Sequence, residues 1–268
     1  MPKLSLCTWN VNSVRAHAEG VARFLKERRP DVLCLQETKV ADESFPLEPF
    51  QAAGYDRHAL NGGRGGYHGV AVFTRGLALD KVENLSWCDK GDPRHVSCRL
   101  PGDIELHNFY VPAGGDIPDP AANPKFAHKL AFLDEAANWF TARAKPGAKI
   151  VLVGDLNVAP LETDVWSHKQ LLKVVSHTPV EVERLGRWYA SHGFVDAVRH
   201  FVPASEKLFT WWSYRSPNWE AADKGRRLDH VWVTPALGGA LRSAEVFKPA
   251  RGWQPASDHV PVIVELSL

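Results

Sequence analysis

The stretch AKIVLVGDLNVAP, residues 148–160, decides the fold that we predict for this chain. Residues 150–153 form a short, continuous apolar run, which is typical of a strand that is covered on both faces. Asp155 and Asn157 follow at the end of that run. A carboxylate at this point is costly to bury unless it is paired or binds a cation. Loops at strand ends are also where α/β folds usually place their functional residues.

Several other segments repeat the pattern of covered strands separated by helices. Residues 4–10 alternate in the manner of a strand, residues 32–36 form a second covered run, and residues 14–28 and 126–143 carry apolar residues at helical spacing. A third helix is predicted over 180–193, with Gly193 as its stop. Further strand candidates are VAVF (70–73), HVSCRL (95–100), IELHNFYV (104–111), LDHVWVT (228–234), SAEVF (243–247) and VPVIVEL (260–266). The pattern predicts one α/β domain over residues 1–268, with packed sheets and helices outside.

Composition is ordinary for a globular protein and narrows the function only slightly. The chain is 44% hydrophobic and 24% charged, and its formal net charge of +1 neither favours nor excludes nucleic acid. The N-terminus lacks a secretory signal pattern, and no apolar run is long enough to span a bilayer. The four cysteines lack CxxC spacing. We therefore expect a reduced, cytoplasmic protein without a zinc site and without a membrane partner.

Polar residues lie at the ends of five predicted strands. A single one would be a cap or a turn in most proteins, but capping explains five such ends poorly. Carboxylate and amide oxygens suit hard cations such as Mg²⁺ or Mn²⁺, which withdraw charge from a phosphate oxygen. The pattern therefore predicts a metal-dependent phosphodiesterase. The residues concerned are Asn10, Asn12, Glu37, Asp155, Asn157, Asp229, His230, Asp258 and His259.

Hydrolysis of a phosphodiester also needs a positioned water and a group that stabilises the developing charge. A carboxylate and amide pair such as Asp155 and Asn157 would position the water. A histidine oriented by a buried carboxylate would act as an acid or as a hydrogen-bond donor. His259 with Asp229 would fill that role, although sequence spacing alone does not pair them.

Eight motifs of the chain resemble, in order, those of the exonuclease III-type AP endonucleases, in the DNA-repair branch of the endonuclease/exonuclease/phosphatase superfamily. The resemblance extends from Leu4 to Leu266. GDLN and SDH identify only the superfamily, whereas WNVNSVRA together with TWWSYR is specific to the repair branch. The motifs are WNVNSVRA, LCLQETK, YHGVAV, FYVP, GDLNVAP, FTWWSYR, RRLDHVWV and SDHVPV.

This resemblance implies a four-layered α/β sandwich, with two mixed sheets face to face and helices outside. It also implies that Glu37 is the principal metal ligand and that Asn12 lies near the ion. The whole implied ligand set is Asn10, Glu37, Asp155, Asn157, Asp258 and His259. The resemblance also implies catalytic roles. Asp155 would orient or deprotonate the water, and Asn157 would hold water and phosphate. Tyr110 would contact the scissile phosphate or assist the leaving group, and His259, paired with Asp229, would bind the phosphate.

Two residues depart from the pattern of the family. Asn12 stands where some relatives have Asp, which removes a negative charge from the metal site. Ala113 follows FYVP where many relatives carry Asn or Gln near the phosphate. Neither change affects the catalytic carboxylates or His259, so we expect an active enzyme with altered metal affinity or altered balance between activities.

The segment 209–230 brings tryptophans together with basic residues. Aromatic faces can fill the gap left by a missing base, and arginines can bind flanking phosphates. The resemblance implies that Trp212 lines the pocket for an abasic sugar and that Arg215 contacts the substrate, while Arg94 touches the DNA backbone. The alternative is that Trp211 packs in the core and that Arg226 and Arg227 form a solvated edge.

The glycine-rich loop 61–69 allows two interpretations. It is either a hairpin turn or a flexible arm that places Arg64, Tyr67 and His68 against DNA.

The resemblance thus implies a Mg²⁺-dependent hydrolase that cleaves DNA on the 5′ side of abasic sites, with 3′–5′ exonuclease and 3′-end-cleaning activity. Its partner would be double-stranded DNA with abasic sites or blocked 3′ ends, bound by a monomer. The first alternative is another phosphodiesterase or phosphatase of the superfamily, either a nonspecific nuclease or an enzyme that acts on a small phosphoester substrate. The second alternative is a catalytically silent DNA-binding module.

Overall fold

A computed structural model describes residues 3–216 and 218–268, apart from the side chain of Val82. The strands in this part of the chain are β1 (Lys3–Asn10), β2 (Val32–Gln36), β3 (Arg57–Asn61), β4 (Val70–Thr74), β5 (Asp80–Glu83), β6 (His95–Leu100), β7 (Ile104–Tyr110), β8 (Ile150–Asp155), β9 (Val195–Asp196), β10 (Trp211–Trp212), β11 (Gly225–Arg226), β12 (Asp229–Val233), β13 (Leu241–Val246) and β14 (Val262–Ser267). The α-helices are α1 (Ala18–Glu27), α2 (Glu48–Ala52), α3 (Pro124–Ala142), α4 (His168–Leu171), α5 (Pro179–Ala190), α6 (Trp219–Ala222) and α7 (Pro235–Gly238).

The strands form two six-stranded mixed sheets and one short ribbon. The order in the first sheet is β13-β14-β1-β2-β4-β3, and the order in the second is β5-β6-β7-β8-β12-β9. In each sheet one central pair is parallel, β1 with β2 and β7 with β8, and the other pairs are antiparallel. Strands β10 and β11 form the separate ribbon.

Three apolar clusters show how the layers pack. Strand residues alternate between the faces of a sheet, so that Val151 and Val153 of β8 lie in the core between the two sheets while Leu152 faces outward. The outer face of the second sheet is covered by α3 and α5 through residues such as Phe132 and Trp188. The outer face of the first sheet is covered by α1 and α2. The predicted four-layered sandwich of two mixed sheets between helices is confirmed.

The element boundaries differ from the predicted ones mainly at helix ends. Helix α1 begins at Ala18, four residues later than predicted, because residues 14–17 form turns. Helix α3 agrees with the prediction, and α5 ends at Ala190, three residues before Gly193, whose φ is +59°. The loop 61–69 joins the antiparallel pair β3 and β4, as the hairpin interpretation predicts. All four cysteines are free thiols.

Candidate active site

The ends of five strands meet at one side of the sandwich, around a cavity of about 720 Å³. The parallel register places Tyr110 beside Asp155, and the antiparallel register places Asp229 on the other side of Asp155. The first sheet contributes the end of β1 and the residue that follows β2. Seven of the residues predicted for the site line this cavity, namely Glu37, Asp155, Asn157, Trp212, Arg215, Asp258 and His259.

Asn10 links the two sheets at the floor of the site. Its side chain is fully buried, and its Nδ2 atom donates to Glu37 Oε1 and to Asp155 Oδ2, each at 2.9 Å. Its Oδ1 atom accepts from the backbone N–H of Asn12 at 3.0 Å. In the structure Asn10 therefore positions the two carboxylates, while its predicted ligation of a metal stays a prediction.

The turn after β8 holds Asp155 and Asn157 in a fixed relation. Gly154 allows β7 and β8 to approach closely just before this turn, because a Cβ atom there would lie 2.0 Å from the carbonyl oxygen of Phe109. The Asn157 backbone N–H donates to Asp155 Oδ1 at 3.0 Å, and Asn157 Nδ2 donates to Asp155 Oδ2 at 3.1 Å and to the Val111 carbonyl at 2.9 Å. The carboxylate is thus oriented from three sides, counting Asn10.

His259 forms a buried pair with Asp229, which sequence spacing could not establish. Its Nδ1 atom lies 2.8 Å from Asp229 Oδ2, which also accepts from Thr210 Oγ1 at 2.6 Å. The Nε2 atom of His259 lies 3.7 Å from Asp155 Oδ2. Burial disfavours the imidazolium, but Asp229 and Asp155 outweigh this effect and raise the pKa of His259 to about 10. His259 is therefore a cation at neutral pH.

This charge separates the two roles predicted for His259. An imidazolium donates a hydrogen bond from Nε2 and so suits phosphate binding, whereas metal ligation through the same atom requires the neutral ring and stays a prediction. Burial also raises the pKa of Asp155 to about 7, with His259 opposing the increase. Asp155 is thus poised near neutrality, as a general base for water should be.

The remaining donors fit a hard divalent cation. Burial disfavours ionised Glu37, but Lys39 and Asn10 outweigh it and lower the pKa of that carboxyl group, which keeps it charged. Asp258 lines the same cavity, and Asp155 and Asp229 offer carboxylate oxygens within 4.8 Å of each other. Carboxylate oxygens are the ligands that Mg²⁺ and Mn²⁺ prefer, so an acidic centre of this kind is compatible with a metal-dependent enzyme.

Lys39 and Asn12 occupy the rim of this acidic centre. Lys39 Nζ lies 3.0 Å from Glu37 Oε2 and donates to Asn12 Oδ1. Asn12 Nδ2 lies 3.3 Å from Asp258 Oδ1. Asn12 therefore connects a lysine to the site through its amide, where an aspartate would form an ion pair with that lysine. Lys39 was not among the predicted site residues, although LQETK places it two residues after Glu37.

Tyr110 and Arg94 form a second pair beside the acidic centre. Burial and the charge of Glu37 raise the pKa of Tyr110 well above its ordinary value, which keeps its hydroxyl protonated. Arg94 is only 7% exposed, with Nε 3.2 Å from Asp92 Oδ2 and its guanidinium 4.8 Å from the Tyr110 ring. Asp92 and Tyr110 thus hold the guanidinium in a buried position, and its predicted contact with the DNA backbone stays a prediction.

The two neighbouring tryptophans of β10 differ in their surroundings. Trp212 is 2% exposed, packs in the outer core of the first sheet and donates from Nε1 to Asp223 at 3.0 Å. Trp211 is half-buried, and its Nε1 donates to Asp258 Oδ2 at 2.8 Å. Both line the cavity: Trp211 packs in part against a small apolar cluster around Val165 and Leu228, and Trp212 touches the cavity from the core. Arg215 lines the cavity as an exposed residue.

A buried lysine bonds to the turn after β8 and was not predicted from the sequence. Lys129 of α3 is fully buried, with Nζ 2.5 Å from Glu181 of α5 and 2.7 Å from the Asn157 carbonyl oxygen. A second bond at 3.3 Å reaches the Ala113 carbonyl. A lysine beside the apolar stripe of α3 was the available signal, since a buried lysine needs a partner.

Comparison with known proteins shows similarity along nearly the entire chain. A family model described as the Endonuclease/Exonuclease/phosphatase family matches residues 7–259. The exodeoxyribonuclease of Bacillus subtilis (strain 168) is 30% identical over 272 residues, which are 97% of this chain and 98% of that protein. An AP endonuclease structure from Archaeoglobus fulgidus matches with a TM-score of 0.90 at 29% identity, over 99% of this chain and 100% of the other.

A third similarity is to the 3′ phosphatase NExo from Neisseria bound to a product DNA hairpin, with a TM-score of 0.89 and 26% identity over 99% of this chain and 100% of that one. No helix in the described ranges 3–216 and 218–268 is long and apolar enough to cross a membrane. The similarities confirm the predicted identification as a hydrolytic nuclease of the exonuclease III type, a DNA-repair phosphodiesterase. The chain belongs to the Endonuclease/Exonuclease/phosphatase family.

Proposed function

We propose that the protein cleaves the DNA backbone on the 5′ side of abasic sites and removes nucleotides or blocking groups from 3′ ends, with Mg²⁺ as its cofactor and Mn²⁺ as a substitute. One observation carries the proposal: the His259–Asp229 pair faces Asp155 in a cavity that also has an aromatic and cationic wall, which includes Trp211 and Arg215. An acidic centre with a fixed imidazolium suits phosphodiester hydrolysis. The wall suits a nucleic-acid substrate better than a small phosphoester.

The residues of the chain would divide the reaction among them. Asp155, once ionised, accepts a hydrogen bond from the attacking water and takes up its proton. Asn10 and Asn157 hold the carboxylate in place for that step. The His259 imidazolium donates to a non-bridging phosphate oxygen, and Asp229 keeps the ring charged and oriented. The Tyr110 hydroxyl, held protonated, is the donor for the leaving oxygen.

Glu37 and Asp258 would hold the cation, together with the predicted ligands Asn10, Asp155 and Asn157. The bound ion would offset the negative charge that develops on the phosphate oxygens. Mg²⁺ is favoured by the hard oxygen donors, since none of the proposed ligands is a thiolate.

We further propose that residues 1–268 act as a single unit and bind double-stranded DNA as a monomer. The continuous core between the two sheets and the family match over residues 7–259 support this view. The cytoplasmic location stays a prediction.

An incision assay tests the proposed function. The purified protein is given a duplex with one tetrahydrofuran abasic analogue, first with Mg²⁺ and then with EDTA, and parallel reactions contain Mn²⁺. We expect incision on the 5′ side of the analogue that disappears with EDTA and returns with either metal. Incision that persists in EDTA would contradict the mechanism. Hydrolysis of a small phosphomonoester without incision would favour the small-substrate alternative.

A further inference from the structure

Two adjacent arginines, Arg226 and Arg227, differ sharply in their partners. Arg227 is 1% exposed, and its guanidinium bonds to both oxygens of Asp164 at 2.9 Å and to Asp196 at 2.5 Å. Among the described residues, Arg226 donates from Nη1 alone, to the Val175 carbonyl at 3.0 Å and to Ser176 Oγ at 2.8 Å. Within residues 3–216 and 218–268, no carboxylate lies within 4.0 Å of the Arg226 guanidinium.

Contacts with Trp211 and Ser176 hold the Arg226 side chain in place. Its backbone pairs with Trp211 in the ribbon of β10 and β11, and its guanidinium carbon lies 5.2 Å from the centre of the Trp211 ring. Ser176, which accepts from Arg226, in turn donates its backbone N–H to both carboxylate oxygens of Glu181 at 3.0 Å. A guanidinium that is fixed before binding loses little conformational entropy when a ligand arrives.

Arg226 lines the same cavity as the catalytic residues. Trp211 lies between Arg226 and His259, because its backbone pairs with Arg226 on one side and forms a β-bridge with His259 on the other. The Arg226 Nε atom is buried without a hydrogen-bond partner, and in the described part of the chain Nη2 also has no acceptor. The cavity therefore contains a cation whose Nη2 donors are unused, separated by Trp211 from His259, the residue that we propose binds the scissile phosphate.

We propose that Arg226 is a specificity-determining residue that binds an anionic oxygen group attached to the scissile phosphate through one short linker. A planar guanidinium matches a phosphate or a carboxylate in geometry and charge. In DNA this chemistry has two sources. One is the phosphate that follows an abasic residue, and the other is the carboxylate of a 3′-phosphoglycolate end. This inference rests on the proposed function and names the substrates that the same site prefers.

Two pairs of duplexes test it, and the members of each pair share the scissile bond and differ in whether the linked group is anionic. The first pair carries a 3′-terminal tetrahydrofuran residue with either a 3′-phosphate or a 3′-hydroxyl. The second pair carries either a 3′-phosphoglycolate or its uncharged glycolamide. We expect the wild-type protein to prefer an anionic member by about tenfold in kcat/KM, since a hydrogen bond to a charged group carries that much discrimination. The pair that shows the preference identifies the source of the anion.

Arg226→Gln should abolish the preference and change kcat/KM on the uncharged members by less than about threefold. Arg226→Lys should keep part of the preference, because it retains the charge without the planar geometry. Arg242→Gln is the matched control, since the hydrogen bonds of Arg242 in the described residues go to the carbonyls of Gly239 and Leu241, and Arg242 is not among the residues that line the cavity. It should leave the preference intact.

The outcomes separate the two proposals. A wild-type protein that cleaves both members of each pair equally overturns the role of Arg226, whether or not the variants fold. An undiminished preference in Arg226→Gln overturns it as well. Failure of the wild-type protein to cleave any of the four duplexes in Mg²⁺ overturns the proposed function itself.

Discussion

The floor of the cavity and its tryptophan wall are built on different principles. On the floor, Asn10, Asp155 and His259 are nearly or fully buried at or beside the ends of strands in the two main sheets, and Asp155 accepts from Asn10 and lies 3.7 Å from His259 Nε2. The wall stands on a ribbon of two-residue strands, where cations lie over aromatic rings and several side chains are exposed. A buried network fixes charges for chemistry, whereas a partly exposed wall can adapt to a ligand.

This difference implies that changes on the floor should reduce the rate and that changes on the wall should alter the choice of substrate. Three predictions test this division, from the largest expected effect to the smallest.

The largest effect is expected for Asp155→Asn. The amide cannot accept the proton of the attacking water, so kcat should fall by about 10³-fold or more with little change in KM. Steady-state kinetics on the tetrahydrofuran duplex measures this loss. Asp103→Asn, at an exposed turn, is the control and should retain normal kcat. Near-normal turnover of Asp155→Asn would contradict the proposed role of Asp155. It would also contradict the expectation that changes on the floor reduce the rate.

A smaller effect, on pH dependence, is expected for Asp229→Asn. The raised pKa of His259, about 10, depends on the charges of Asp229 and Asp155. Protonated His259 therefore stabilises the fold fully below about pH 6.5 and loses this contribution as the pH rises through about 10. Without the Asp229 charge, the alkaline limb of the kcat/KM profile should move down by about one pH unit or more.

The pH profile of kcat/KM and the pH dependence of thermal unfolding check this prediction together. Both should shift in the same direction in Asp229→Asn, because one imidazole is responsible for both. An unchanged alkaline limb would show that another group controls it, and would contradict the role of His259 as the cation of the site.

The smallest effect on rate is expected on the wall, from a comparison of Trp211→Ala with Trp212→Phe. Trp211 faces the cavity and Trp212 packs mainly in the core. Trp211→Ala should reduce the preference for abasic over intact duplex by about tenfold, since loss of an aromatic face removes a stacking contact. Trp212→Phe should keep the preference and lower the melting temperature. A larger loss of preference in Trp212→Phe would restore Trp212 to the role that its motif implies.

Much of the floor could be predicted from the sequence, because strand ends are local features. Apolar runs that end just before Glu37 and Asp155, and one that begins just after Asp258 and His259, identify both the strands and the polar residues beside them. The oxygen-rich donor set and the order of the motifs then indicate metal-dependent phosphate chemistry. The wall was less predictable, since the burial of Trp211 and Trp212 depends on where a two-residue strand lies over the core.

The sequence by itself determined the elements, the donor types and the family. Only the tertiary structure decided which groups meet: His259 with Asp229, 30 residues apart, and Asn10 with Asp155, 145 residues apart. It also gave the neighbours Arg226 and Arg227 opposite surroundings, one lining the cavity and one in a buried ion pair. Neighbouring side chains along an extended segment point to opposite faces, and long-range packing alone determines what each face meets.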